Sequence, residues 1–246
     1  MTIKKTRTFK FYQWNKPLAY LVGVYLGDGS IHQPKGNRML IFAHQSIDQE
    51  FVLKTKSALE VVLGHSIRYR EQIRNYKDNL KLGFKQHIRK VYETSTSNNE
   101  VCSWLVEVTK NKTIVPNMDK KYLVHLLSGF LDSDGHVSQR KVTKDYKHGG
   151  IAKENPTTQF QAGICGKGDK MVSIVNAFKF VGVAVGVKYI GKREVESYGI
   201  NLSSLASSGI CPTINRKFFN LCDYVNQIES STTLRRTLVY TKEDKV

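Results

Sequence analysis

The sequence predicts an α+β fold built as a pseudo-twofold pair of similar halves, and three observations predict it. A nonapeptide occurs twice, as Leu21-Val-Gly-Val-Tyr-Leu-Gly-Asp28-Gly29 and Leu127-Ser-Gly-Phe-Leu-Asp-Ser-Asp134-Gly135. Helical and alternating hydrophobic patterns follow each copy in the same order. Basic residues exceed acidic ones by 19 to 9 over residues 1–113 and by 19 to 12 over 114–246, which sum to the net +17 of the 246-residue chain.

Each nonapeptide closes a helix. Asn15 before Pro17, and Asp119 after Pro116, are the expected N-caps. Gly29 and Gly135 are expected in the left-handed conformation that ends a helix, leaving each Asp at or near the last helical residue. Alternating strands follow at Arg38–Gln45 and Thr158–Cys165. Asp48 then opens a helix carrying Phe51, Val52, Leu59, Val62 and Leu63 that stops at Gly64. Asp169 opens its counterpart, with Met171, Val172, Val175 and Phe178, stopping at Gly182. Strand-like runs come next at Ser66–Arg74 and Leu80–Gln86, and at Val183–Arg193 and Tyr198–Leu202. Each half therefore reads αββαββ with closing helices. Residues 110–118, polar and containing Pro116, read as the linker, giving halves 1–113 and 114–246. The second half is longer between motif and second helix. The excess, Arg140–Pro156, reads as an extended basic hairpin or a mobile surface loop.

The composition narrows function. With 40% hydrophobic and 24% charged residues the chain has ordinary globular proportions. The apolar stretches Pro17–Gly27 and Phe180–Val187 are shorter than the roughly 20 residues of a membrane span, and no secretion signal is read at Met1. A charge of +17 spread over both halves, rather than held in one amphipathic helix, suits a nucleic-acid groove better than a membrane surface. Cys102, Cys165, Cys211 and Cys222 lack metal-ligand spacing, so they are expected to be reduced and mostly buried in an intracellular protein.

Gly23 and Gly27, and Gly129 and Ser133, are four apart, giving each repeated helix a narrow face on which backbones can approach closely. If the two helices pack with twofold symmetry, Asp28 and Asp134 meet at one end. Two carboxylates and two helix C-termini concentrate negative charge there, which calls for a hard cation. Mg²⁺ bound by Asp28 and Asp134, with carbonyls such as those of Gly27 and Ser133, water and substrate phosphates, is the expected arrangement.

On these residues the chain resembles the monomeric, two-motif LAGLIDADG homing endonucleases. Leu21, Gly23, Asp28 and Gly29 of the first copy match the name motif, as do Leu127, Gly129, Asp132, Asp134 and Gly135 of the second. The resemblance implies two αββαββα halves forming a DNA-binding saddle, with Asp28 and Asp134 as catalytic metal ligands. It also implies a staggered double-strand break with 3′ overhangs in a long, imperfectly palindromic DNA site. Two or three divalent ions are implied, with Mn²⁺ substituting for Mg²⁺ and Ca²⁺ binding without turnover. Lys112 and Lys217 match the basic position each half adds near the metals, with Lys110 and Arg216 as competitors. Gln45, and Gln161 or Gln159, are the polar candidates on the first strands. DNA contacts are expected from Ser30, His32, Arg38, Arg68, Arg70, Arg74, Lys81 and Lys85 in the first half. In the second half they are expected from Gln139, Lys141, Gln159, Gln161, Lys188, Lys192 and Arg193. The alternative on the same scaffold is an RNA maturase acting on its own intron.

Overall fold

The computed structural model describes residues 12–76, 87–148, 151–190 and 195–231. The first sequence repeat gives α1 (Lys16–Leu26), β1 (Ser30–His32), β2 (Ile41–Ser46), α2 (Gln49–Leu63), β3 (Arg68–Tyr76), β4 (His87–Thr96) and α3 (Asn99–Val108). The second gives α4 (Lys120–Ser133), β5 (Gly135–His148), β6 (Ile151–Gly166), α5 (Gly168–Phe180), β7 (Val185–Ile190), β8 (Glu196–Ile200), α6 (Leu202–Ser207) and α7 (Asn215–Ser231). The strands form two antiparallel sheets of equivalent topology, β1-β2-β4-β3 and β5-β6-β8-β7.

At the centre α1 packs on α4. Asn15 caps α1 by accepting from the Leu18 N–H at 2.8 Å, and Pro17 occupies the first turn. Every residue from Leu18 to Leu26 is buried, so α1 is apolar all round because it is covered all round. The small faces make this possible. A Cβ on Gly23 would lie 1.9 Å from the Leu126 carbonyl oxygen, and one on Gly129 would lie 2.4 Å from that of Tyr20. These contacts are reciprocal, since Tyr20 and Leu126 precede the aligned Leu21 and Leu127. Lower down, Gly27 faces Ser133, whose Cβ stands 2.2 Å from where a Gly27 Cβ would be.

Three expectations are corrected. Gly29 and Gly135 are not left-handed; among the described residues Gly36, Gly64, Gly168, Gly182 and Gly209 are the glycines with positive φ. Glycine is needed at 29 and 135 because a Cβ would press into the preceding turn, 2.9 Å from Tyr25 Cα and 2.6 Å from the Leu131 carbonyl oxygen. Asp48 and Asp119 precede their helices without side-chain caps, and Lys167 rather than Asp169 precedes α5. The fourth strand of the first sheet is His87–Thr96, whereas the expected Leu80–Gln86 lies outside the described residues. That strand escapes pattern reading because its buried residues include Glu93, Thr94 and Thr96. Lastly, none of the four cysteines is in a disulfide, but only Cys102 is buried and Cys165 is exposed. The 140–156 excess forms the hairpin β5–β6, paired from Gly135↔Ile164 to His148↔Ile151. No described helix is long and apolar enough to cross a membrane.

Candidate active site

Close helix packing delivers the two motif ends to one place. α1 ends with Gly27 as its C-cap and α4 with Asp134, each cap N–H closing onto the carbonyl four residues back. Asp28 and Asp134 interact electrostatically. Partial burial, then the neighbouring Asp134 charge, push the Asp28 carboxyl above its ordinary value, while Lys217, Lys112 and Lys170 oppose the shift.

Three ammonium groups occupy the carbonyl-rich helix ends, where unpaired C=O groups favour cations. Lys112 donates to the Gly29 carbonyl and, at 3.4 Å, to that of Gly27, with its Nζ 4.7 Å from the Tyr25 ring centroid. It extends from Lys110-Asn111-Lys112, three consecutive non-glycine residues with positive φ. A left-handed run of this kind is costly, and here it lies beside the site. Lys217 is 2% exposed and donates to the carbonyls of Leu131 at 2.7 Å and Asp132 at 2.6 Å. Burial drives its ammonium down to about 8. Lys170 bridges the two motifs, reaching the Leu26 carbonyl at 3.1 Å and the Asp134 carboxylate at 3.2 Å. The competitors stand apart: Arg216 pairs with Asp48, and Lys110 is exposed.

The donor chemistry fits a hard divalent ion. Among the described residues no three His, Cys, Asp or Glu side chains gather as a metal cage. Mg²⁺ characteristically takes one or two carboxylates and completes its shell with waters and substrate phosphates, which matches an Asp28–Asp134 pair. Two features bear on loading. Lys170 competes for Asp134, and Lys112 for the Gly27 carbonyl. The Ser133 hydroxyl donates back to the Gly129 carbonyl at 2.9 Å, and the ligand role expected of Ser133 is that of its main-chain oxygen.

Cross-strand register sorts the expected DNA contacts by face. Phe42 and His44 point from β2 into the core, where Phe42 meets Tyr25 of α1 and His44 packs edge-on to Phe51 of α2. Gln45 therefore lies on the opposite face. The pairs Ser30↔Ala43, Gln45↔Glu93 and Arg70↔Glu93 place Ser30, His32, Gln45, Arg68, Arg70 and Arg74 together there. Glu93, 3% exposed, organises this face by accepting from Gln45 and from Arg70, whose Nε is 2.7 Å away. Arg74 is held by Gln72, and Arg38 is exposed ahead of β2.

In the second sheet Val137, Ala162 and Ile164 face the core, so His136, Ser138, Arg140, Gln159, Gln161, Gly163 and Cys165 share the other face. Gln139 and Lys141, both exposed, pair with Phe160 and Thr158 on the opposite face of the sheet from Gln159 and Gln161. Ser138 and Arg140 share the face of Gln159 and Gln161, and Arg140 donates to Gln159 at 3.4 Å. Lys188 falls at the β7 register shift, and its side chain is not among those described. Lys81, Lys85, Lys192 and Arg193 lie outside the described residues.

Comparison with known structures follows from this geometry. The chain superposes on the homing endonuclease I-WcaI bound to its DNA recognition sequence with a TM-score of 0.53 at 12% identity, covering 85% of this chain and 88% of that one. The LAGLIDADG meganuclease I-AabMI bound to uncleaved DNA gives 0.51 at 12% identity, covering 87% and 92%. I-DmoI in complex with DNA and Ca gives 0.50 at 15% identity, covering 86% and 97%. The chain has the LAGLIDADG endonuclease fold. No protein-family model matches the sequence. Over 134 residues, 51% of the chain, it is 28% identical to an uncharacterized protein of Methanocaldococcus jannaschii, of whose length the match spans 41%.

Within the LAGLIDADG fold, strand register also settles which residue of the second half stands opposite Gln45. Ser30↔Ala43 matches His136↔Gly163, because Asp28 and Asp134 are equivalent, so Gln45 corresponds to Cys165. Gln161 and Gln159 correspond to Ile41 and Met39, farther from the motif. Cys165 Sγ lies 3.9 Å from the Asp134 carbonyl oxygen. Neither Cys165 nor Lys170 carried a sequence signal. Their placement depends on pairing register and on where α5 docks.

Proposed function

We propose that the chain is a divalent-metal-dependent homing endonuclease that makes a staggered double-strand break, with 3′ overhangs, in a long, imperfectly palindromic DNA site. The observation that carries this reading is the meeting of Asp28 and Asp134 at the ends of close-packed helices, between two sheets whose outer faces carry Arg and Gln side chains. The chain acts as a monomer, because two unlike halves already supply both aspartates.

Asp28 and Asp134 are the metal ligands, with main-chain oxygens of Gly27 and Ser133 and DNA phosphates completing the shell. A bound Mg²⁺, or Mn²⁺ in its place, supplies Lewis acidity that lowers the pKa of water and stabilises the leaving oxygen; Ca²⁺ supports binding without turnover. The chain's own residues set up the rest. Lys112 and Lys217 hold positive charge at the helix ends, where charge develops on the scissile phosphates. Arg68, Arg70 and Arg140 fix register on phosphates, while Ser30, His32, Ser138 and Gln161 present donors and acceptors to base edges.

The test is cleavage of a randomised duplex library with Mg²⁺, with Ca²⁺ and with EDTA, beside Asp28→Asn and Asp134→Asn. Sequence-specific double-strand breaks by the wild type in Mg²⁺ alone, with both variants still binding DNA, are expected. No cleavage of a deeply sampled library together with tight binding to structured RNA would replace the nuclease by the RNA maturase.

A further inference from the structure

The two motifs differ at one buried position in a way that DNA cleavage does not itself require. Leu26 of α1 aligns with Asp132 of α4; Leu26 is fully buried and Asp132 is 2% exposed. The Asp132 carboxylate accepts from the Thr213 N–H, at 2.9 Å to Oδ1 and 3.0 Å to Oδ2, and from the Ile214 N–H at 3.3 Å. It also accepts from the Thr213 hydroxyl, and from Tyr20 of the other motif helix at 3.0 Å. Tyr20 Oη stands 3.0 Å from Thr213 Oγ1, which closes a triangle of polar groups inside the core. A buried carboxylate this fully hydrogen-bonded is a device for fixing what it binds.

What it binds is the start of α7. Thr213 and Ile214 immediately precede Asn215, and Lys217 follows within the first turn. The same stretch is fastened to α2, where Arg216 pairs with Asp48 and the Asn215 N–H donates to Glu50 at 3.2 Å. Lys217 returns to the Asp132 main-chain carbonyl at 2.6 Å. One residue thus grips the start of α7 with its side chain and receives the Lys217 ammonium with its backbone. Lys112 has no such grip, since its turn is set by the backbone bond from Asn111 to the Val106 carbonyl and by Thr109.

We propose that Asp132 is a positioning residue, which fixes the start of α7 so that Lys217 is delivered to the second motif end and acts on one DNA strand only. This rests on the endonuclease reading for its strand consequence, but not for its structural part. Leucine at this position, as in the first motif, removes every hydrogen bond of the carboxylate and keeps the main-chain carbonyl that receives Lys217. Asparagine retains an acceptor for the two N–H groups and a donor for Tyr20 or Thr213.

Two measurements test the proposal on the full chain. Amide hydrogen exchange at Thr213 and Ile214 in the free protein is expected to be at least tenfold faster in Asp132→Leu and within threefold of wild type in Asp132→Asn. Supercoiled plasmid carrying the duplex selected by the wild type is expected to accumulate nicked circles with Asp132→Leu, one strand slowed tenfold or more relative to the other, and to linearise normally with Asp132→Asn. If Asp132→Leu does not fold, Thr213→Val, which deletes only the hydroxyl contact, must show the same effects in weaker form. Unchanged exchange, or equal slowing of both strands, overturns the proposal. A wild type that cuts no duplex would defeat the endonuclease reading instead, and exchange at Thr213 and Ile214 would still decide the positioning role.

Discussion

Replacing Gly23 by alanine tests the link between helix packing and the site. The new Cβ falls 1.9 Å from the Leu126 carbonyl oxygen and 2.8 Å from the Phe130 nitrogen, and both are backbone atoms that cannot rotate away. Reaching the 3.0 Å floor for such contacts requires α1 and α4 to part by 3.0 − 1.9 = 1.1 Å. Overpacking a well-filled core costs about 1–3 kcal/mol, and backbone-to-backbone conflict places Gly23→Ala at the upper end. For a chain of this size that lowers Tm by about 6–12 °C. The opening also separates Asp28 from Asp134, and misplacement of reacting groups by about 1 Å costs roughly a hundredfold in rate. Thermal and urea unfolding, with cleavage of the selected duplex, measure both effects. Gly186→Ala is the control, because its Cβ meets nothing within 4 Å. If Gly23→Ala unfolds within about 0.5 kcal/mol of wild type, the close-packed helix pair is not what holds the motif ends together.

Other outcomes follow from buried or paired groups. His44 is buried with no partner for either ring nitrogen among the described residues, and burial lowers it from 6.5 to about 4. The unfolded chain then binds the extra proton first, so stability is lost as pH falls from 6.5 toward 4, by about 3 kcal/mol in all. Urea titrations of His44→Leu should lack this slope. Asp28 works in the opposite sense: its raised carboxyl loses stability as pH climbs through its folded pKa, and Asp134→Asn should bring that pKa down in carboxyl-detected NMR titrations. Glu93→Gln removes the charge that holds Arg70 and Gln45, costing about 1–2 kcal/mol of stability. It also frees Arg70, so the slope of log affinity for DNA against log salt should steepen by about one.

Much of the fold was legible because the repeated nonapeptide carries two independent constraints. Glycines four apart require a close-packed partner, and an Asp at the helix end requires a purpose for two like charges. Lys112 and Lys217 bond to carbonyls at the motif ends, whereas Arg216 pairs with Asp48 and Lys110 is exposed. The strand faces were harder. Along β5 only Val137 marks the core side near the motif, and a one-residue error in parity puts Gln139 and Lys141 where Ser138 and Arg140 stand. Nothing local marks Glu93 and Asp132 as buried, because only tertiary partners satisfy them. Lys170 was one basic residue among 38, and nothing local sets it apart.

The hairpin of the second sheet has a metrical consequence. β5 runs for 14 residues, whereas β1 runs for three. At about 3.4 Å per residue the long arm spans close to 48 Å, against roughly 10 Å for its counterpart. The other arm reverses the inequality, since β3 and β4 run for nine and ten residues against six and five in β7 and β8. Lying along a duplex that rises 3.4 Å per step, the two halves would reach their farthest steps through different hairpins, the second through its first and the first through its second.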